Sequence, residues 1–171
     1  MSKLDILVAP DPRLKQIAAP VETVDDSIRR LMDDMLETMY AAPGIGLAAP
    51  QVGRPVRVIV VDIAEKEEPP KPYRMANPQV VKASAECKVM NEGCLSVPDY
   101  YADVERPDKV TVSYLDENGA PQTLEADGML STCIQHEIEH LDGVLFVDHL
   151  SSVKRNIILR KLQKAKRAGT L

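Results

Sequence analysis

The sequence predicts an α+β fold: antiparallel β-sheets packed around a central helix, with one helix near the N-terminus and one at the C-terminus. Three observations predict it. Residues 25–42 and 152–168 each carry an apolar stripe at helical spacing. Between them, β-branched and alternating runs end at turn signals, the pattern of strands and hairpins. Residues 128–141 are apolar on two opposite sides, so that helix should run through the interior rather than along the surface.

The first helix carries Ile28, Leu31, Met32, Met35, Leu36 and Met39 on one stripe. Thr23 with Asp26 resembles a capping box, and Pro43-Gly44 stops the helix. The methionines read as core packing, not as an adaptable binding surface. After a loop over residues 44–53, residues 56–63 read as a buried strand. The charged, proline-broken stretch 65–72 reads as a surface loop within the domain. Cys87 has no motif around it and reads as a strand residue. Val110, Val112 and Tyr114 alternate with polar neighbours. Asp116-Glu117-Asn118-Gly119 then turns the chain into residues 122–126, a hairpin with one buried face. The central helix runs from Gly128 to about Leu141, with Asp127 as N-cap and Gly143 just past its end. On its wheel, Met129, Cys133, His136 and His140 share one face, while Leu130, Ile134, Ile138 and Leu141 fall on the other.

The chain has 171 residues, enough for one domain with a real core and too few for two ordinary ones, so residues 1–171 are read as a single domain. A net charge of −5 gives the whole protein no reason to bind DNA or an anionic membrane. No apolar run approaches the roughly 20 residues of a membrane span. Three cysteines, an odd count, favour free thiols in a reducing compartment, and the cytoplasm is the expected location.

The chemistry concentrates in Gln135-His136-Glu137-Ile138-Glu139-His140, which holds two of the three histidines. Histidines four apart on a helix lie one turn above the other and can grip one metal ion. Glu137 beside the first of them is where a carboxylate takes a proton from a metal-bound water. The motif alone is weak evidence, and the source of a third ligand decides its meaning. A pattern with a third histidine six residues beyond His140 finds Phe146 in that place, and no glutamate follows Glu139. His149 matches neither pattern and reads as an ordinary polar residue before the last helix. The third ligand is therefore expected upstream, in Glu92-Gly93-Cys94-Leu95-Ser96-Val97-Pro98. As a thiolate, Cys94 would complete a Cys-His-His site with one position open for water, a catalytic arrangement. Taken alone, Cys94 also reads as a small buried hydrophobe, the usual state of a free cysteine. Cys133 reads as a pocket wall, since two histidines already occupy its face.

A third segment, Gly44-Ile45-Gly46-Leu47-Ala48-Ala49-Pro50-Gln51-Val52-Gly53, stands upstream of both. Together and in this order, the three segments resemble the signature of the peptide deformylases, enzymes that remove the N-formyl group from the initiator methionine of nascent chains. The resemblance runs from Ile6-Leu7-Val8-Ala9-Pro10 to Asp148-His149-Leu150-Ser151. It implies Cys94, His136 and His140 as metal ligands and Glu137 as general acid/base. It also implies Gln51, through its amide, and Leu95, through its backbone N–H, as donors to the formyl oxygen. One departure is Glu139, where members usually carry aspartate just before the second histidine. This puts the contacts around the site in question, and Arg106 is the candidate partner. The donor set suits Fe²⁺, Zn²⁺, Co²⁺ and Ni²⁺ and disfavours Mg²⁺ and Ca²⁺. The resemblance implies one Fe²⁺ per chain in the cell, with Zn²⁺, Ni²⁺ or Co²⁺ as alternatives in purified protein.

The implied substrate is an N-formyl-methionyl nascent peptide, and the implied product is formate. Ile45, Gly46, Met129 and Cys133 are the candidate walls for the methionine side chain. The competing readings are a peptidase using the same metal chemistry, a silent binder of a metal or peptide terminus, and an RNA-binding accessory protein. The absent downstream ligand, the presence of every catalytic residue type and the acidic balance count against them in turn. The last helix carries Lys154, Arg155, Arg160, Lys161, Lys164, Lys166 and Arg167 with no acid between them. It reads either as a solvated helix whose charges complement its dipole or as a contact to ribosomal RNA.

Overall fold

The computed structural model describes residues 2–170. Helix α1 (Asp26–Ala41) is followed by strands β1 (Gly46–Ala48), β2 (Val58–Val61), β3 (Tyr73–Ala83), β4 (Cys87–Cys94), β5 (Val97–Pro107), β6 (Lys109–Leu115) and β7 (Pro121–Asp127). Helices α2 (Gly128–Leu141) and α3 (Ser152–Arg167) close the chain. All pairings between these strands are antiparallel: one sheet has the order β1-β2-β3-β6-β7, and β4 with β5 forms a separate hairpin. This is the α+β architecture expected from the sequence.

Strand β2 explains the layering. Its four residues, Val-Ile-Val-Val, are all buried, and successive side chains point to opposite faces. Val58 and Val60 join Met32, Met35, Leu36 and Met39 of α1 in one core cluster. Ile59 and Val61 join Met75, Val110, Val112 and Ala126 against Ile134 and Leu141 of α2 in another. The large sheet is thus covered by a helix on each face, and a strand buried on both faces reads as a continuous apolar run. A third cluster joins Val97 and Val104 of the hairpin to Leu145, Phe146 and Val147 after α2 and to Leu162 of α3.

Helix α1 is capped by Asp25, whose carboxylate accepts from the Ile28 N–H at 3.0 Å. The capping box at Thr23 is therefore corrected: the helix begins later, and Asp25 reaches the free N–H groups directly. Helix α2 has the predicted bounds, with Asp127 at the N-cap position, although its side chain makes no capping bond. Residues 56–63 contribute a shorter strand than expected, and β3, β4 and β5 have no counterpart in the sequence reading beyond Cys87.

Gly143 ends α2 in the left-handed region, at φ +76°. A Cβ there would lie 2.4 Å from the Lys15 carbonyl oxygen. Two penalties coincide, the positive φ and a collision with backbone. Gly143→Ala is expected to destabilise the protein by about 1–3 kcal/mol. In thermal unfolding of the metal-free protein this should lower Tm by about 2–4 °C per kcal/mol. An unchanged Tm would refute this account of the helix end.

Candidate metal centre

Cys94 ends β4 and pairs with Val97, so Leu95-Ser96 form the two-residue turn of the hairpin. That turn points the thiol at α2. Cys94 Sγ lies 3.3 Å from His140 Nε2, which lies 3.3 Å from His136 Nε2. All three donor atoms fall within 4.8 Å of one another. The i, i+4 spacing places both imidazoles on one helix face, as the sequence predicts. Phe146, which stands where a third histidine would fall, stacks on the His136 ring instead, with centroids 6.1 Å apart.

The far nitrogen of His136 is held as well. Its Nδ1 is 2.9 Å from Glu92 Oε1, which leaves Nε2 free to ligate when Nδ1 carries the proton. Arg106 donates to the same carboxylate from Nε at 2.7 Å and from Nη2 at 3.0 Å. Its Nη1 donates to Glu139 Oε1 at 2.8 Å, so the partner expected for Glu139 from the sequence is one of its two observed partners. Glu92 and Arg106 are each 4% exposed. Burial works against the charge on Glu92, but the bonds from His136 and Arg106 hold its carboxyl below the usual range.

The donor set fits a metal cation. Burial opposes charge on both histidines. At His136, Glu137, Cys94 and Glu92 outweigh it and raise the pKa well above the ordinary value. At His140, burial and the His136 charge together push the pKa well down. One thiol and two imidazoles whose donor atoms lie within 4.8 Å of one another are the chemistry of a cation site, and each sheds a proton to ligate. Burial lifts the Glu137 carboxyl to about 7. Its Oε1 is buried without a hydrogen-bond partner, and the side chain faces a cavity of about 720 Å³.

Gln51 reaches the same point from the turn after β1. Its Oε1 accepts from the Ala48 N–H at 2.9 Å. That bond orients the amide, so Nε2 donates to Ser96 Oγ at 3.0 Å and reaches Cys94 Sγ at 3.5 Å. Leu95, Ile45 and Gly46 line the cavity with Gln51, His136 and Glu137. Gly46 leaves no room for a side chain: a Cβ would lie 2.5 Å from Glu137 Oε2 and 2.8 Å from Cys133 Sγ. Cys133 sits behind Gly46, buried, with its thiol reaching the Ile45 carbonyl at 3.5 Å. Burial raises its pKa well above the usual thiol value, so it stays neutral.

Met129 departs from the expectation. It is 47% exposed and is not part of the cavity lining; Cys133, expected as a pocket wall, is not part of it either, because Gly46 stands between its thiol and the cavity. The fully buried positions of α2 begin at Ser131; Leu130 packs on the core from the first turn, while Met129 faces solvent. Tyr100 and Tyr101 of β5 line the cavity and were not singled out from the sequence. Glu92 and Arg106 carried a partial signal, an acid two residues before a candidate ligand and a nearby cation. His149, read from the sequence as an ordinary polar residue, is instead engaged at the edge of the site, its Nε2 2.8 and 2.9 Å from the two Glu139 oxygens.

Residues 3–156 match the family model described as polypeptide deformylase. The chain is 52% identical to the peptide deformylase of Brucella suis over 164 residues, covering 96% of this chain and 94% of that one. The crystal structure of peptide deformylase from Ehrlichia chaffeensis superposes with a TM-score of 0.94 at 42% identity, covering 99% of this chain and 100% of that one. The same enzyme in complex with actinonin gives 0.94 at 45% identity, covering 98% and 99%.

Cys94→Ala and His140→Ala each leave two of the three donors. Both variants are expected to lose stoichiometric metal, read by elemental analysis of purified protein beside wild type. Full occupancy in either would remove that residue from the ligand set.

Proposed function

The chain belongs to the polypeptide deformylase family and is a metal-dependent hydrolase that removes the N-formyl group from nascent polypeptides; we propose that Glu137, Gln51 and Leu95 perform this reaction beside an ion held by Cys94, His136 and His140. The observation that supports this most directly is that the three donor atoms cluster together beside an unpartnered Glu137 oxygen and the Gln51 amide, with Cys94, His136, Glu137 and Gln51 lining one cavity. The bound ion supplies Lewis acidity, lowering the pKa of water towards about 7 and polarising the carbonyl.

Glu137 accepts the proton of the attacking water and returns it to the leaving amine. Its burial keeps it from ionising too readily, and a base poised near neutrality serves both transfers. Gln51 Nε2 and the Leu95 N–H donate to the formyl oxygen as negative charge develops there. Gln51 is 1% exposed and held by Ala48, so its donor is aimed in advance. Gly46 leaves Glu137 the room it needs. A formyl group, the smallest acyl group, fits such a confined place. Ile45 borders the space for the methionine side chain, with Cys133 behind Gly46.

For the ion we propose Fe²⁺ in the cell, with Zn²⁺, Ni²⁺ or Co²⁺ occupying the same ligands in purified protein. One thiolate and two imidazoles suit all four. We also propose the cytoplasm as the place of action, where the three free cysteines stay reduced. Among the described residues, no helix is long and apolar enough to cross a membrane.

Helix α3 suits a ribosomal contact. Only Leu162 of it is buried, and Lys154, Arg160, Lys161 and Lys164 are exposed on a chain of net charge −5. Such a face contacts phosphates. Replacing those four cations with glutamate should abolish co-sedimentation with ribosomes at low salt while sparing peptide turnover. Unchanged co-sedimentation would rule this face out. Truncating the helix is the poorer experiment, because it also removes Leu162 from the core.

The deciding assay is formate release from a formyl-methionyl peptide, on protein purified without oxygen and with its metal content measured. Glu137→Ala should keep the ion and release almost no formate. Gln51→Ala should fold and lose about 10²–10³ in kcat, as for other oxyanion donors. Wild-type turnover in either variant would sink that residue's role.

A further inference from the structure

Two residues that the reaction above does not use, Glu139 and His149, meet at the edge of the metal centre. Glu139 lies in the last turn of α2, beside His140. Its carboxylate accepts from Arg106 Nη1 at 2.8 Å on one side and lies 2.8 and 2.9 Å from His149 Nε2 on the other. Arg106 in turn holds Glu92, and Glu92 holds Nδ1 of His136. An unbroken series of charge-assisted contacts runs from a ligand ring to His149, whose side chain is 35% exposed.

We propose that Glu139 and His149 are positioning residues of the metal centre: they anchor Arg106 from the side remote from Glu92 and so fix the carboxylate that orients His136. A guanidinium presents its donors in a rigid planar fork. With Nε and Nη2 on Glu92 and Nη1 on Glu139, the plane of Arg106 is set from two directions. Without Glu139, the Nη1 donor of a side chain only 4% exposed loses its acceptor. Leaving a buried donor unpaired is unfavourable, so the guanidinium would turn towards another acceptor and draw Glu92 with it.

Glu139 cannot serve alone. Its side chain is 26% exposed, and its rotatable bonds would let it swing into water. His149 restrains it by engaging both oxygens. His149 is itself fixed, because the turn Phe146–His149 is pinned by the Asp148 carboxylate, which accepts from the Leu145 N–H at 2.9 Å and from Lys15 Nζ at 2.5 Å. The same turn stacks Phe146 on the His136 ring. One short segment therefore braces the ligand twice, directly through Phe146 and indirectly through His149. The longer glutamate also acquires a purpose. On the same backbone, an aspartate falls one methylene short of spanning Arg106 and His149 together.

The proposal rests on His136 being a metal ligand, and the experiment separates the two. Protein loaded with Co²⁺ is compared for wild type, His149→Ala, Glu139→Asp, the double variant and His136→Ala. Two readouts are taken: the Co²⁺ dissociation constant by chelator competition, and the Co²⁺ absorption bands, which report ligand geometry. His149→Ala should raise the dissociation constant about 10–100-fold, the usual effect of losing support around a ligand, and shift the bands. Glu139→Asp should do the same, and the double variant should be no weaker than the weaker single variant, because the two act as one unit. Wild-type affinity and bands in His149→Ala, or losses that multiply in the double variant, would overturn the proposal. His136→Ala reports on the underlying reading: if it still binds Co²⁺ like wild type, the ligand assignment itself fails.

Discussion

Arg106 is the joint on which the rest of the centre depends. The donors come from two elements that share no sheet, the β4–β5 hairpin and helix α2. Arg106 stands on β5, Glu92 on β4, and Glu139 and His136 on α2. The guanidinium ties hairpin to helix through carboxylates on both, and Glu92 closes the loop onto a ligand ring. Isolated buried charges are costly, and such a network is tolerable only when its donors and acceptors are matched. Removing one partner of a buried pair typically costs about 3–5 kcal/mol. The network therefore resists small displacements, and a metal site needs that resistance: its ligands must meet at one point although folding brings them from opposite ends of a long sequence separation.

Helix α2 answers a second demand. It must present His136, Glu137 and His140 to a confined cavity and still be held by the core. It does so by being apolar on its opposite side, where Ile134 and Leu141 are fully buried against the large sheet. The sheet is covered on its other face by α1, so strand β2 is enclosed on both sides. This layering makes α2 a fixed wall. The hairpin, which has only one partner strand, is stabilised by its contact with the segment after α2 and with α3. The same contact brings Phe146 and His149 to the metal centre.

Legibility in the sequence followed the range of the interactions. The bounds of α2, the hairpin β6–β7 and the helical stripes of α1 and α3 rest on local periodicity and could be read directly. The long strands β3, β4 and β5 could not. Asn77-Pro78 interrupts β3. Strand β5 carries acids on a largely solvated arm, so neither shows a clean alternation. The N-cap moved from Thr23 to Asp25 because two adjacent acids offered rival starts, and backbone geometry chose between them. Met129 shares the wheel face of His136 but stands at the solvent-exposed start of the helix, and a wheel contains no depth.

By itself the sequence determined which residues could do chemistry: two imidazoles one turn apart, an acid between them, an upstream thiol beside glycine, and a glutamine in a glycine-rich loop. Composition and spacing decide these because they are properties of one segment at a time. The tertiary structure alone decided how they meet. It brought Cys94 Sγ to 3.3 Å from His140, carried the Gln51 amide to Cys94 and Ser96, and gave Glu139 two partners. Those facts are distances across chain separations of up to 46 residues. No local pattern encodes them, because they are fixed by how the hairpin, the helix and the turn after it pack on one another.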